Sequence, residues 1–313
     1  MDVVDITDVD RDRLSEKVCA CRGIRRCGLC KTLAVDGDGR LKATLKETEQ
    51  EQEISIFDFC FECGRAFVSY GRETSSPDAE AVVDCHKRHH SDQSFPLGSM
   101  KLWREFVTTQ EEEALEKEID CRFWVDSQSG RRKQDYGPKV NFKRQKLSLD
   151  KFTGLPDFCQ PLLRKMSQET GGTLGDFRCA ELCNLEYVPQ RESGIDGHID
   201  DQWLWGERLI TLNLLSSTIL TLTPVEAVNG AFPLVRVAMP RRSLFMMSGE
   251  ARHIWKHAIR PVDIHSRRLA MTFRELTPLF VTGAERVLGE EILARAYSFA
   301  GDVVRPTETM ALP

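Results

Sequence analysis

The residues able to do chemistry in this 313-residue chain fall into three groups. The first is His198-Ile199-Asp200 with a later His257. In a strand, side chains two apart share a face, so His198 and Asp200 offer an imidazole and a carboxylate to one point. His257, from a distant strand, completes two histidines and one carboxylate. That facial set leaves coordination positions open and suits non-haem Fe(II). An H-x-D triplet also occurs in surface loops, and Gly194 and Gly197 nearby fit that reading. His253 competes with His257 as a ligand, Asp201 has the wrong parity to face His198, and His265 reads as exposed.

The run Arg268-Leu-Ala-Met-Thr-Phe-Arg274 strengthens the metal reading. Even spacing places both arginines on one face of a strand. Guanidinium groups turned inward are costly unless they meet anions. A dicarboxylate such as 2-oxoglutarate supplies two, through bidentate pairing. The alternative is pairing with Asp or Glu side chains, or a solvent-facing strand end.

The second group is cysteine. Seven of the 11 cysteines lie in the first 90 residues: Cys19, Cys21, Cys27, Cys30, Cys60, Cys63 and Cys85. Their odd total, with no apolar leader at the acidic start, argues against a closed disulfide framework. Cys19, Cys21, Cys27 and Cys30 suit a tetrahedral structural zinc. Cys27 and Cys30 could instead share a metal with Cys60 and Cys63, and Cys85, His86, His89 and His90 add further donors. Zinc would supply folding energy to a region with little core.

The third group is basic. Arg131, Arg132, Lys133, Lys139, Lys143, Arg144 and Lys146 crowd residues 131–147 against one acid, Asp135, with Tyr136 and Phe142 interleaved. Such a run can grip a phosphate backbone, meet an acidic protein surface, or remain a solvated loop. Lys and Arg number 43 against 48 Asp and Glu, a net charge of −5, which excludes a general polyanion binder and leaves only a local patch.

These residues need a scaffold. Hydrophobic residues make up 41% of the chain, enough for a sizeable core, and no apolar run is long enough to cross a bilayer. Thr108 or Thr109 opens a helix over TTQEEEALEKEI with a capping-box pattern. Residues 156–169 and Glu285–Ala296 read as further helices. Strands are expected at Leu182–Val188, Arg208–Leu215, Ile219–Thr223, Leu234–Val237, Ser243–Met247, Ile254–Ile259 and Arg268–Leu276. ISIFDFCFECGRAFVSY (54–70) has β-type composition, and residues 71–99 read as a linker or long loop. The fold class is therefore α+β, a β-sandwich or jelly roll with flanking helices and a small Cys-rich N-terminal region. The expected division is 1–95 for the Cys-rich region, 96–300 for the main domain and 301–313 for a tail.

The combination of HID, HAIRP and RLAMTFR resembles the AlkB-like Fe(II)/2-oxoglutarate dioxygenases. SQSGRRKQDYGPKVNFKRQKL (127–147), CNLEYVPQ, DDQWLWGERLITLNLLS, WKHAI and CACRGIRRCGLC resemble its fourth-homologue subfamily. The resemblance implies a double-stranded β-helix. It implies iron on His198, Asp200 and His257, favouring His257 over His253. It further implies Arg268 on the distal carboxylate of 2-oxoglutarate, Arg274 on the carboxylate beside the keto group, and Tyr187 holding the co-substrate. Where the family often has Asn, this chain has Leu185 and Ala270; Asn213 or Thr211 could substitute. Residues 127–147 would form a lid, with Arg131, Arg132, Lys133, Tyr136 and Lys139 contacting substrate. The zinc set Cys19, Cys21, Cys27 and Cys30 is preferred on the same ground. The implied reaction is oxidative N-demethylation, with succinate and formaldehyde as products. The implied substrate is methylated lysine on a protein, actin in particular. The alternatives are N6-methyladenine in DNA and an interaction module whose iron site is dispensable. An intracellular location, cytoplasmic and nuclear, is expected.

Overall fold

The computed structural model describes residues 55–69, 94–228 and 230–304. In chain order the strands are β1 (Ile56–Cys60), β2 (Arg65–Val68), β3 (Ser94–Pro96), β4 (Met100–Trp103), β5 (Val125–Asp126), β6 (Arg132–Tyr136), β7 (Lys139–Asn141), β8 (Lys146–Ser148), β9 (Glu181–Tyr187), β10 (Ile195–His198), β11 (Trp205–Leu214), β12 (Thr218–Pro224), β13 (Leu234–Met239), β14 (Ser243–Met247), β15 (Trp255–Ile259) and β16 (Arg268–Leu276). The helices are α1 (Thr109–Asp120), α2 (Cys159–Glu169), α3 (Gly249–His253), α4 (Pro278–Val281) and α5 (Arg286–Ala296).

Two sheets face each other, ordered β10-β15-β12-β13-β1-β2-β3 and β4-β14-β11-β16-β9-β6-β5. The eight strands β9 to β16 alternate between them except at the β12–β13 hairpin, giving β9-β16-β11-β14 opposite β10-β15-β12-β13. That interleaving is the double-stranded β-helix expected from the sequence.

The second sheet is buried on both faces, and period-two alternation assigns each residue. Leu182, Ile210, Leu212, Leu269, Met271 and Phe273 face outward and pack with Leu115 and Ile119 of α1, Leu162 and Met166 of α2, and Ile292 of α5. Tyr187, Leu209, Phe245 and Ala270 face inward and pack with Leu220, Val235, Val237 and Trp255 of the first sheet.

Thr108 is the helix cap. Its hydroxyl accepts from Glu111 N at 3.1 Å, and Glu111 Oε2 accepts from Thr108 N at 2.7 Å, closing the capping box. Buried charges then fix α1 to the sheet. Glu112 accepts from Leu215 N at 2.7 Å and from Arg241 Nε at 2.8 Å. Glu186 receives Arg132 and Arg191, each at 2.6 Å, and Arg267 at 2.9 Å; Arg267 continues to Asp120 of α1.

One expectation is corrected. The boundary at residue 95 does not divide the fold. Strand β1 pairs in parallel with β13, and β2 and β3 extend the same sheet. Asp58 binds the buried Arg236 through two hydrogen bonds, at 2.7 and 2.8 Å. Half of the 54–70 stretch is thus a structural edge of the main domain, because the carboxylate that meets buried Arg236 among the described residues comes from β1. Cys60 ends β1 and Cys63 sits on the β1–β2 turn, with burial and a hydrogen bond to Cys60 raising the Cys63 thiol pKa. Cys19, Cys21, Cys27, Cys30, Cys85, His86, His89 and His90 lie outside the described residues.

Candidate active site

The inner face of the two sheets encloses a cavity lined by Tyr187, His198, Asp200, Thr211, His257, Arg268, Thr272 and Arg274, among others. Strands β10 and β15 pair antiparallel with His198 directly opposite His257, and the rings lie 4.2 Å apart. Asp200 is not on a strand, as the alternation argument assumed. Strand β10 ends at His198, and Asp200 reaches the site from the following loop. It converges all the same: Asp200 Oδ1 is 3.3 Å from His198 Nε2 and 3.9 Å from His257 Nε2.

The donor set fits a divalent metal on three counts. The ligand atoms of His198, Asp200 and His257 all lie within 4.8 Å of one another. His198 Nδ1 lies 2.9 Å from the Asp196 carbonyl, which leaves Nε2 as the nitrogen that faces Asp200. Burial, with His198 as a neighbour, pushes His257 down to about 3, so its imidazole is neutral. Burial works to raise Asp200, but the adjacent Arg274 guanidinium outweighs it and holds the carboxyl well below its usual range.

Two arginines support the carboxylate ligand. Arg274 Nε donates to Asp200 Oδ2 at 2.8 Å, and its Nη1 donates to Glu181 Oε2 at 2.7 Å. Arg252, buried on α3, clamps the loop itself. It donates to the carbonyls of Asp200 at 2.9 Å, Asp201 at 2.6 Å and Trp205 at 3.3 Å. Sequence reasoning missed Arg252, which has no periodic partner. It also missed Glu181, although that residue stands six before Tyr187 and alternation assigns both to the inner face. Asp201 turns away, as expected, accepting from Trp203 N and Leu204 N. His253 is excluded as a ligand by its contact with Glu207 at 2.9 Å, and His265 is exposed.

Arg268 lies at the other end of the same strand face. Its guanidinium sits 4.9 Å from the centre of the Tyr187 ring, and Nε donates to Asn213 Oδ1 at 2.6 Å. It is 2% exposed and has no carboxylate partner among the described residues; burial lowers its pKa. A buried cation without an anion is expensive, and a dicarboxylate reaching this end of the cavity would supply one. Asn213 does not line the cavity: its amide donates to the Ser216, Met239 and Pro240 carbonyls, and it acts by holding Arg268. Thr211 does line it, as do Leu185 and Ala270.

The basic segment is corrected most. Residues 132–136 are a strand within the second sheet, not a lid. Alternation sends Arg132 to Glu186 on the outer face, and Tyr136 is wholly buried there beside Phe158. Neither can meet substrate in this fold. Arg131 is buried on the inner side, 5.9 Å from the Tyr187 ring. Lys133 pairs with Asp135. The exposed cations are Lys139, Lys143, Arg144 and Lys146, on the β7–β8 hairpin. Phe142 on that hairpin packs edge-on against Trp205 at 6.5 Å, and the same indole lies 5.9 Å from the Arg274 guanidinium.

No family model matches the chain. It is 38% identical over 310 residues to the α-ketoglutarate-dependent dioxygenase alkB homolog 4 of Homo sapiens, covering 90% of this chain and 94% of that protein. It is 36% identical over 273 residues to a DNA N6-methyl adenine demethylase of Caenorhabditis elegans, covering 87% of this chain and 91% of that protein. A solved 2OG-Fe(II) oxygenase from Burkholderia pseudomallei aligns with a TM-score of 0.40 and 11% identity, over 56% of this chain and 83% of that one.

Proposed function

The chain belongs to the alkB homolog 4 family of α-ketoglutarate-dependent dioxygenases, and from that premise we propose that it removes N-methyl groups from methylated lysine in a protein. The observation that carries the co-substrate reading is Arg268, a buried guanidinium with no carboxylate partner among the described residues, on the same strand face as the group that holds Asp200.

His198, Asp200 and His257 would hold the iron, and Arg268, steadied by Asn213 and Tyr187, would receive a carboxylate of 2-oxoglutarate. Bound there, iron and 2-oxoglutarate would supply an O2-derived oxidant for the N-methyl carbon, which would leave as formaldehyde while the keto acid becomes succinate and CO2. The chain's own part is positional. Arg274 and Arg252 fix the carboxylate ligand, and Leu185, Leu209, Phe245 and Ala270 keep the cavity walls apolar. Arg274 spends two of its nitrogens on Asp200 and Glu181, so its role is chiefly to orient the ligand.

The net charge of −5 supports a protein substrate over a polyanion, and a methylated actin peptide is the first candidate. A second reading, N6-methyladenine in DNA, is favoured by the name of the C. elegans relative and by the exposed cations of the β7–β8 hairpin. A structural zinc on Cys19, Cys21, Cys27 and Cys30, and a cytoplasmic and nuclear location, complete the proposal. The test is formaldehyde and succinate release from methylated actin peptides and from N6-methyladenine oligonucleotides, with Asp200→Ala as control. Release from oligonucleotides alone would replace the first reading by the second.

A further inference from the structure

The cavity floor continues past the metal ligands. Cross-strand partners in a sheet form rows that share a face. Three rows run from β16 through β9: Arg274–Glu181, Thr272–Cys183 and Ala270–Leu185. Strand β6 extends the last two, adding Asp135 opposite Cys183 and Lys133 opposite Leu185. Arg274, Thr272, Ala270 and Leu185 line the cavity; Asp135 and Lys133 stand on the same face of the sheet just beyond that lining, two strand spacings or about 10 Å from β16. Their side chains are 28% and 36% exposed, so solvent reaches them.

The charges along this floor are unequal in commitment. Asp200 and Glu181 are both held by the buried Arg274. Asp135 is the next carboxylate outward. One of its oxygens accepts from the Cys183 thiol at 3.1 Å, and the other meets the Lys133 ammonium. Lysine is a point charge on a flexible stem, so this counter-ion can leave without opening a buried gap.

We infer that Asp135 is a specificity-determining residue for the reaction: its carboxylate receives the ammonium of an N-methylated amine, and Lys133 is the internal cation that this substrate displaces. The inference rests on the demethylase reading above. Methyl-lysine carries its charge on the nitrogen that bears the methyl group, so placing that methyl at the His198–Asp200–His257 triad brings a cation onto this floor. Arg274 does not oppose it, because its charge is matched by two carboxylates. A methyladenine base is neutral and offers nothing to exchange for Lys133, while its phosphates would be repelled by Asp135.

The test uses the full chain loaded with Fe(II), measuring formaldehyde from a monomethyl-lysine peptide and from an N6-methyladenine oligodeoxynucleotide. Asp135→Asn should raise the peptide KM by about tenfold or more, the loss of one charge-assisted hydrogen bond, with the 2-oxoglutarate KM within about twofold. Asp135→Glu should retain most of the peptide affinity. Lys133→Met should lower the peptide KM, by removing the competing cation. This opposition of sign separates recognition from structure, since a purely structural pair would be damaged by either substitution. A peptide KM unchanged in Asp135→Asn, or raised in Lys133→Met, overturns the inference while leaving the demethylase reading intact. Wild-type turnover of the oligonucleotide and not of the peptide overturns the inference and the methyl-lysine reading together. If Asp135→Asn does not fold, the Lys133→Met result alone decides by its sign.

Discussion

Arg274 donates to Asp200 at 2.8 Å and, from the same guanidinium, to Glu181 at 2.7 Å. The carboxylate of the candidate metal site and a second acid are thereby tied to one cation in a water-poor cavity. The arrangement resolves an ambiguity in the sequence, where either a ligand or a protein carboxylate satisfied the inward arginines. Here Arg274 takes protein carboxylates and Arg268 takes none among the described residues.

Arg274→Met should leave Asp200 and Glu181 buried without their cation. A stability loss of roughly 3–5 kcal/mol is expected, the range for breaking a buried ion pair from one side. Urea unfolding of the metal-free chain measures it. A loss below about 1 kcal/mol would show that the pair is better solvated than its burial implies.

Arg252→Met should free the Asp200–Trp205 loop by removing three donors to its carbonyls. Mn(II) affinity, read by titration calorimetry, should fall by about 10- to 100-fold, the usual effect of losing an outer partner of a metal ligand. Arg252→Lys should recover part of it. Unchanged affinity in both variants would remove the positioning role.

Arg268→Ala should raise the KM for 2-oxoglutarate by about 100-fold or more, since it deletes one side of a buried charge pair, while Mn(II) binding is retained. The wild-type chain should gain thermal stability on adding 2-oxoglutarate, because a ligand bound only by the native state stabilises it. The variant should not gain at the same concentration.

The acid limb of stability should depend on Glu186. Burial favours its neutral form, but three arginines outweigh burial and hold it down to about 2, against 4.5 as its ordinary value. A depressed carboxylate contributes stability that is present above about pH 4.5 and is lost as pH falls toward 2, for roughly 3 kcal/mol in all. Urea midpoints in that window should fall less steeply in Glu186→Gln, and the variant should be less stable at neutral pH. Parallel curves for the two proteins would contradict the assignment.

The N-terminal strands should be indispensable to the main domain. A chain beginning at residue 97 loses β1 to β3 and leaves Arg236, 3% exposed in the intact fold, without Asp58. Asp58→Asn should cost roughly 3–5 kcal/mol, and the shortened chain should fail to give a cooperative unfolding transition.

The local determinants were legible from the sequence. The Thr108 capping box depends on residues three apart. Strands β14 and β16 fell where their apolar runs lay, from Ser243 to Met247 and from Arg268 to Leu276, because a continuous apolar run marks a strand that is buried on both faces. His198 and Asp200 can be paired from the H-x-D spacing, whereas His257 is preferred to His253 through the family resemblance. Tertiary structure alone decided the rest. That Asp200 arrives from a loop, clamped by Arg252 from 52 residues away, depends on a carbonyl contact no spacing records. That Arg132 and Tyr136 face the helices while Lys133 and Asp135 take the face of the sheet that looks toward the cavity depends on the β6–β9 register. A shift of one residue would exchange those faces, and composition is blind to register. The basic run looked uniform in sequence because charge can be counted there, whereas the partner that neutralises each charge is chosen only when the strands pair.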